Sequence, residues 1–274
     1  MTSIALTVYE GRAGDRNDLA VPGAAAMAGH LATRLGVHIA RVGHQAPALA
    51  AAWDVELAAA SADLRTLAEV IDRAMTRGAT PITALTRCAA ALGTVPIVAR
   101  HRPDACLVWL DAHADLNTPA TTSSGYLGGM AVAGAAGLWN SGLGAGIALA
   151  NVVLVGTRDL DPAEQEVIET SGIRVVRIGS RVAQDLRAAL MGRPAYVHLD
   201  CDVLEPGIVP TDYSVAGGLT LAQVHDLSTA VAEGEVVGVE IAEFQGAWHP
   251  GGQAVSPAPV VEALEPLWRR LLGD

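Results

Sequence analysis

The 274-residue sequence contains few aromatic and few charged side chains: aromatic residues make up 4% of it, with a single phenylalanine, and charged residues make up 17%. Hydrophobic residues reach 51%, which is ample for a core. A chain so low in charge and so rich in apolar side chains falls outside the composition of disordered proteins. We therefore expect a globular fold.

Positive charge is the scarcer sign, with 18 basic against 29 acidic residues and a formal net charge of -11. A nucleic acid or an anionic membrane would need a basic face to offset phosphate repulsion. We therefore expect neither as a partner. A small ligand, and a cationic one above all, suits this charge balance.

The sequence also lacks long hydrophobic runs and has only three cysteines. No stretch approaches the roughly 18 uninterrupted apolar residues of a membrane span, and residues 1–18 lack the basic and apolar regions of a signal peptide. Three cysteines are too few for a disulfide framework. We expect a cytoplasmic protein whose cysteines are free thiols or ligands.

Short β-branched runs alternate with amphipathic or alanine-rich segments, and several of these runs read as strands buried on both faces. Strands are predicted at residues 4–8, 36–42, 106–110, 152–155, 175–178, 195–199 and 236–241, and helices at 55–75, 86–100, 162–169, 182–191, 221–233 and 260–272. This alternation predicts βαβ units in an α/β fold. With no internal repeat or linker, residues 1–274 are expected to form one doubly wound domain.

Residues 108–119, VWLDAHADLNTP, lead from an apolar strand into Asp111, His113 and Asp115. Three such side chains within five residues at a strand end can converge on one or two cations. The alternative is that Asp111 caps a helix and His113 makes a buried hydrogen bond. Metal binding is the interpretation that strand context favours.

Residues 195–206, AYVHLDCDVLEP, place Asp200 and Asp202 at the end of another apolar strand. Residues i and i+2 of a strand point to the same side, so we expect the two carboxylates to share one cluster. Without a cation, they would repel and one would take up a proton. A bound cation is the simpler interpretation.

These two segments resemble the DAHxD and DxDxxDP motifs of the arginase, agmatinase and formiminoglutamase superfamily. The resemblance runs from about residue 80 to residue 246 and includes GTRDLDPAE at 156–164, AGGLT at 216–220 and GVEIAEF at 238–244. It implies a single three-layer α/β domain around an eight-stranded, mainly parallel sheet flanked by helices. It also implies two manganese ions.

Carried over by position, the resemblance implies that Asp111 and Asp200 bridge the two ions. Asp115 would complete the coordination of one ion, and His113 with Asp202 would complete that of the other. Manganese is a hard ion that accepts carboxylates and imidazole. The ion pair would lower the pKa of a shared water and direct the resulting hydroxide at a planar guanidine carbon.

Glu243 matches the acidic residue that holds the guanidine group in the family, and Glu240 stands where the family has an aspartate. We count Glu243 and Asp115 as the catalytic residues. The alternative for both glutamates is a salt-bridged residue of a strand. This alternative is favoured for Glu240 but not for Glu243.

The sequence departs from the family at two functional positions. Cys88 stands where the family has a histidine ligand, and we expect its thiolate to bind metal, whereas Cys106 and Cys201 should only pack. Gly128 stands where arginases carry a proton-shuttling histidine, and Tyr126 replaces an asparagine. Loss of a general acid costs about 10² to 10⁴ in rate, so arginine should be a poor substrate.

The sequence also contains residues that match the family's contacts to an amino-acid head group. Asn117, Thr122 and Ser124 match the family's α-carboxylate contacts, and Asp161 with Glu164 match its α-amino contacts. These contacts favour an arginine-like substrate over agmatine, which has no carboxylate. Alternatively, the Asn, Thr and Ser side chains order a turn and Asp161 caps a helix.

An N-hydroxyguanidine accounts for both departures, because it is less basic than a guanidine and its own hydroxyl can help to move a proton. The sequence is similar to the branch of the family that cleaves Nω-hydroxy-L-arginine to hydroxyurea and L-ornithine in antibiotic biosynthesis. An ordinary arginase or guanidino-acid ureohydrolase, a catalytically dead sensor and a mononuclear zinc deacetylase are the alternatives. We expect a monomer, because no C-terminal extension like that of some arginases follows the last helix.

Overall fold

The computed structural model describes residues 3–273, and its centre is one sheet of eight strands that all run parallel. Their order across the sheet is β2-β1-β3-β8-β7-β4-β5-β6. In chain order, the strands are β1 Ser3–Tyr9, β2 Ile39–Val42, β3 Ala79–Ala84, β4 Cys106–Leu110, β5 Val152–Val155, β6 Arg174–Val176, β7 Ala195–Asp200 and β8 Val236–Ala242. The predicted α/β class with an eight-stranded parallel sheet is confirmed.

Helices connect the strands and cover both faces of the sheet. They are α1 Ala20–Leu35, α2 Trp53–Thr76, α3 Val95–His101, α4 Ala131–Ala136, α5 Pro162–Ser171, α6 Val182–Leu190, α7 Leu221–Ala232, α8 Ala258–Ala263 and α9 Glu265–Leu272. Among residues 3–273, no helix has the length and apolar character needed to cross a bilayer.

Strand predictions succeeded where the strand is buried on both faces. β4 and β5 have the predicted bounds, because each is a continuous apolar run whose residues are all buried. β3 was missed, because its sequence ATPITA mixes two threonines and a proline with the apolar residues. All but its first residue are nevertheless buried, between β1 and β8.

Helix predictions were wrong in four places, and one of them is the short helix α4, which was not predicted. α1 was missed, because Pro22 and two glycines lie in its sequence, although a proline is well tolerated in the first turn of a helix. The single helix predicted at 86–100 is a 3₁₀ helix at Cys88–Gly93 followed by α3. The last predicted helix is divided at Leu264 into α8 and α9, because Pro266 has no N–H to continue the hydrogen bonding.

Two apolar clusters lie on opposite faces of the sheet and hold it in place. The first contains α1, α6, α7 and the last two helices, with Trp268 as its largest side chain. The second lies under α2, α3 and α4 and contains Trp109 and Tyr196. The four central strands, β3, β8, β7 and β4, are therefore fixed from both sides, and so are the loops at their carboxyl ends.

Helix α1 reaches this edge through a close backbone contact at Gly23. A Cβ atom added to Gly23 would lie 1.9 Å from the carbonyl oxygen of Phe244, just after β8. Gly246 N also donates to Leu19 O at 2.9 Å. Only glycine lets the helix approach the segment that carries Glu243.

We predict that Gly23→Ala lowers the free energy of unfolding by about 1–3 kcal/mol, because the added methyl has to displace backbone. Gly29→Ala in the same helix is the matched control, since a Cβ there meets nothing within 4 Å. The control should raise stability by about 0.5–1 kcal/mol. Urea unfolding midpoints measure both changes, and equal midpoints for the two variants would contradict this account of the contact.

Candidate metal centre and active site

A pocket opens at the carboxyl ends of the four central strands, where ligands gather in open α/β sheets. Cys88 follows β3, Glu243 follows β8, Asp200 ends β7, and residues 111–115 follow β4. The residues lining the pocket include Cys88, His113, Asp115, Asn117, Ser123, Ser124, Tyr126, Gly128, Asp161, Glu164, Asp200, Asp202, Tyr213 and Glu243.

The six side chains expected to bind metal are brought together. Three overlapping groups have ligand atoms that all lie within 4.8 Å of one another: Cys88 with Asp111 and Asp115, Cys88 with Asp200 and Glu243, and Asp111 with His113 and Asp202. Their sharing of Cys88 and Asp111 joins them into one cluster. The spatial convergence on which the prediction of a two-ion site depends is therefore present.

Asp111 and His113 are fixed by the turn that follows β4. The Asp111 Oδ1 atom accepts the His113 backbone N–H at 2.6 Å, and its Oδ2 atom accepts the Trp109 indole N–H at 2.9 Å. The His113 Nδ1 atom lies 3.2 Å from Asp111 Oδ1 and 3.1 Å from Asp202 Oδ2. One imidazole nitrogen thus stands between carboxylates that come from different strands.

Asp200 and Asp202 are placed near each other by a turn that the sequence did not predict. We expected strand alternation to place them on one side, but β7 ends at Asp200 and Asp202 lies in a 3₁₀ turn. The Asp202 N–H donates to Asp200 Oδ1 at 2.7 Å. The explanation by alternation was wrong, and the short turn is what turns both carboxylates toward the pocket.

Asp115 supplies the observation that best tests whether cations fit the site. Its Oδ2 atom is buried and has no hydrogen-bond partner among residues 3–273, and its backbone has φ of 52°, in the left-handed region. A buried carboxylate oxygen without a partner is costly unless something positive lies beside it. The donor set, largely carboxylate oxygens with one imidazole and one thiol, fits divalent cations.

Burial and mutual repulsion suppress ionisation of these groups when no cation is present. Burial, followed by repulsion from Asp202, raises the pKa of Asp111 to about 6. Burial is also the main cause that raises the pKa values of Asp115, Asp200 and the Cys88 thiol well above their ordinary ranges. A cation in the cluster would reverse these effects, because it favours the ionised form of each ligand.

The Cys88 sulfur has contacts beyond the carboxylates. Its Sγ atom lies 3.0 Å from Asp200 Oδ2 and 3.1 Å from His198 Nε2. The other ring nitrogen of His198 lies 2.7 Å from Glu240 Oε1, and the ring stacks on Trp109 with centroids 3.5 Å apart. His198 therefore contacts a predicted ligand directly, although the sequence suggested no definite role for it.

Glu240 is the salt-bridged strand residue that we favoured from the sequence. Its Oε2 atom accepts the hydroxyls of Thr94 at 2.6 Å and Tyr196 at 2.7 Å, while its Oε1 atom faces His198. Glu240 and His198 are fully buried. This network holds the His198 ring against Cys88 and does not face the pocket.

Glu243 is also salt-bridged, and its partner is Arg87, which no sequence motif indicated. Arg87 Nη1 donates to Glu243 Oε2 at 2.7 Å, and the arginine is completely buried. Arg87 is the only charged residue in the stretch 79–99, and it directly precedes Cys88. That isolated charge was the available signal. Glu243 keeps a place in the pocket lining, so its predicted contact with substrate stays a prediction.

The predicted head-group residues lie in the loop that follows β4 and at the start of α5. Asn117 Nδ2 donates to Asp161 Oδ2 at 2.9 Å, and both residues line the pocket. Glu164 accepts the backbone N–H groups of Leu116 and Asp161 at 2.9 and 3.0 Å, which is the helix-start arrangement of a capping box.

Two hydroxyls in the loop after β4 stabilise a turn. Thr122 Oγ1 accepts the N–H of Gly125 at 3.1 Å, and Ser124 Oγ accepts the N–H of Tyr126 at 3.2 Å. Ser124 and its neighbour Ser123 line the pocket, whereas Thr122 is not part of the lining. The turn-forming alternative therefore describes the present contacts, and recognition of a carboxylate by these hydroxyls stays a prediction.

Tyrosine side chains surround Gly128, the position where arginases carry the shuttle histidine. The Tyr126 hydroxyl donates to Glu243 Oε1 at 3.2 Å, and a Cβ atom at Gly128 would lie 2.4 Å from the Tyr126 ring. The ring of Tyr213 lies 5.3 Å from that of Tyr126, and its buried hydroxyl has no hydrogen-bond partner within the part of the chain that the structure describes. The Arg16 guanidinium covers both rings, 5.1 and 5.4 Å from their centroids. Tyr213 and Arg16 were not anticipated from the sequence.

Comparisons with known proteins agree with this fold. Residues 20–260 match the model of the arginase family. The chain is 40% identical to an N(omega)-hydroxy-L-arginine amidinohydrolase of Streptomyces lavendulae over 88% of each chain, and 33% identical to an arginase of Bacillus caldovelox over 62% of each. The native structure of the Bacillus caldovelox arginase superposes with a TM-score of 0.83 at 27% identity, covering 100% of this chain and 99% of that one.

The chain therefore belongs to the arginase family. It is a hydrolase of the ureohydrolase class with a cluster of metal-binding groups, and a small-molecule substrate fits its pocket.

Removal of metal should give the protein an unusual pH dependence. A carboxyl whose pKa is raised by folding stabilises the folded state below its unfolded pKa, and this contribution is lost as the pH rises through the folded value. For Asp111, that interval runs from about 4 to about 6, and the contribution is on the order of 3 kcal/mol.

The quantity to follow is the free energy of unfolding of the wild type minus that of Asp111→Asn. In a chelator we expect this difference to fall from about pH 4 to about pH 6, because the variant lacks this carboxyl. With added Mn²⁺, the difference should grow over the same range, since cations bind the ionised form. Chemical unfolding at each pH measures it, and comparison with the variant cancels the surface carboxylates. A difference that grows with pH in the chelator would contradict the assignment of a raised pKa.

Proposed function

We propose that this protein hydrolyses Nω-hydroxy-L-arginine to hydroxyurea and L-ornithine with two manganese ions. The observation that carries the proposal is the joint presence of Cys88 among the metal-binding groups and of Gly128 against the Tyr126 ring. Both features suit a guanidine that is less basic than arginine and needs less help with its leaving amine. The identity to the Streptomyces lavendulae amidinohydrolase supports the same substrate.

The proposed metal ligands are the six cluster residues Cys88, Asp111, His113, Asp115, Asp200 and Asp202. When bound, the two ions supply an activated water for attack on the guanidine carbon. Asp115, which lines the pocket, would accept a proton during the reaction. Glu243 would orient the reacting group, and the tyrosine rings at the pocket would limit access of bulk water.

The head group of the substrate is proposed to lie opposite the metal cluster. Asn117 and Ser124 would contact the α-carboxylate, with Thr122 fixing the turn that presents Ser124. Asp161 and Glu164 would face the α-amino group. Such an arrangement selects an amino acid and rejects amines that lack the carboxylate.

We propose manganese because most donors are carboxylate oxygens, which suit a hard cation. The single thiol is the exception, since sulfur favours softer metals. Two divalent ions also offset the repulsion that raises the carboxyl pKa values in the cluster. We further propose that the protein works in the cytoplasm and as a monomer, which sedimentation of the purified protein tests.

Purified protein with Mn²⁺ should release hydroxyurea and ornithine in equal amounts from Nω-hydroxy-L-arginine. Arginine should react at least about 10²-fold more slowly, because no general acid at residue 128 protonates its leaving amine. Chromatography of ornithine and hydroxyurea measures both reactions, and chelator-treated protein is the control. Comparable turnover of arginine would favour an ordinary arginase, and no turnover of any guanidine would favour a catalytically dead family member.

Cobalt substitution tests whether Cys88 binds metal. A thiolate bound to Co²⁺ gives a ligand-to-metal charge-transfer band, so the wild type and Cys106→Ala should both show this absorption. Cys106 is the matched control, because it is buried in the core away from the cluster. The band should vanish in Cys88→Ser. Its persistence in that variant would reject the thiolate ligand without bearing on the other five residues.

A further inference from the structure

Glu243 has little hydrogen-bonding capacity left for a ligand. Its Oε1 atom accepts the Cys88 backbone N–H at 3.0 Å and the Tyr126 hydroxyl at 3.2 Å, and its Oε2 atom accepts Arg87 Nη1 at 2.7 Å. A carboxylate has about four lone-pair sites. Three are taken, so a guanidinium in the pocket cannot make the two parallel hydrogen bonds of a bidentate pair.

Arg87 cannot move aside to free Glu243. Its Nε donates to Asp15 Oδ1 at 2.9 Å, and Nη2 lies 3.4 Å from Asn17 Oδ1. Asp212 Oδ2 lies 3.6 Å from Nη1. The side chain is fully buried behind Glu243 and is not part of the pocket lining.

The charge of Arg87 therefore acts on any group that binds to Glu243 from the pocket side. An arginine side chain is protonated at every working pH. A cationic guanidinium at Glu243 would share one carboxylate with this resident guanidinium, so the carboxylate charge that would attract it is already paired. A neutral group of the same shape loses nothing by this pairing and needs only the one free site on Glu243.

We propose that Arg87 is a specificity-determining residue: by occupying Glu243, it makes the pocket select a neutral guanidine over a cationic guanidinium. The inference rests on the proposed function in one respect, namely that the guanidine end of the substrate lies at Glu243. It goes further in naming the charge state of the substrate and the residue that selects it. Arg87 is a positioning residue, because it acts through Glu243.

The experiment compares two ligands of nearly identical shape and different charge. L-Arginine carries a guanidinium, and L-citrulline carries a neutral ureido group on the same amino acid. Titration calorimetry on the manganese-loaded enzyme gives the dissociation constant of each. The wild type should bind citrulline at least as tightly as arginine.

Two variants separate charge from structure. Arg87→Gln combined with Asp15→Asn removes one positive and one negative charge, so the buried charge balance is kept. In this double variant, the preference should shift toward arginine by about tenfold or more. Arg87→Lys keeps the charge and should keep the wild-type preference. Asp15→Asn alone leaves the Arg87–Glu243 pair in place and serves as the matched control.

The ratio of the two dissociation constants is the decisive readout. A purely structural role of Arg87 would weaken both ligands alike and leave the ratio unchanged in the double variant, which would overturn the proposal. If the double variant does not fold, the wild type decides, since arginine bound about tenfold more tightly than citrulline would overturn it. Dividing variant by wild-type ratios also cancels any affinity of the ureido oxygen for the cations.

The outcome is separate from that of the proposed hydrolysis. A protein that prefers citrulline in an Arg87-dependent way but leaves Nω-hydroxy-L-arginine intact would reject the proposed function and keep the charge selection. A protein that hydrolyses Nω-hydroxy-L-arginine with an unchanged ratio in the double variant would do the reverse.

Discussion

The concentration of buried acidic side chains at one edge of a parallel sheet is the constraint on which the site depends. Asp111, Asp115, Asp200, Asp202 and Glu243 are all almost completely buried there. Such charges are tolerated only with opposite charge or hydrogen-bond donors beside them. The cluster is compensated in two ways. The four aspartates are arranged so that cations could bind between them, whereas Glu243 is paired with the permanent positive charge of Arg87.

The rigidity of this edge comes from apolar packing and not from the polar groups themselves. The central strands are covered by core on both faces, and close backbone contact at Gly23 fixes the segment after β8. Behind Cys88, the buried pair of His198 and Glu240 is tied to the hydroxyls of Tyr196 and Thr94. Each acidic group is thus held at its position by closely packed neighbours that cannot move aside.

The sequence predicted the fold class and the convergence of the six side chains proposed as metal ligands, because motifs at strand ends must meet at one edge of a parallel sheet. It failed where local composition hides the structure, as in β3 with its proline and threonines and in α1 with its glycines. It failed also for contacts between distant residues. Arg87 and Glu243 are separated by 156 positions, and no local pattern reports such a pairing. His198 was seen in the sequence, but its contact with Cys88 requires the register of neighbouring strands.

The packing of Tyr126 on Gly128 couples two positions of the pocket. A histidine at residue 128 requires the Tyr126 ring to move, because a Cβ atom there would lie 2.4 Å from it. Replacing Tyr126 first withdraws a hydroxyl from Glu243 without yet supplying a general acid. We therefore expect the two positions to be epistatic, because a side chain at residue 128 and the Tyr126 hydrogen bond to Glu243 cannot both be kept without rearrangement.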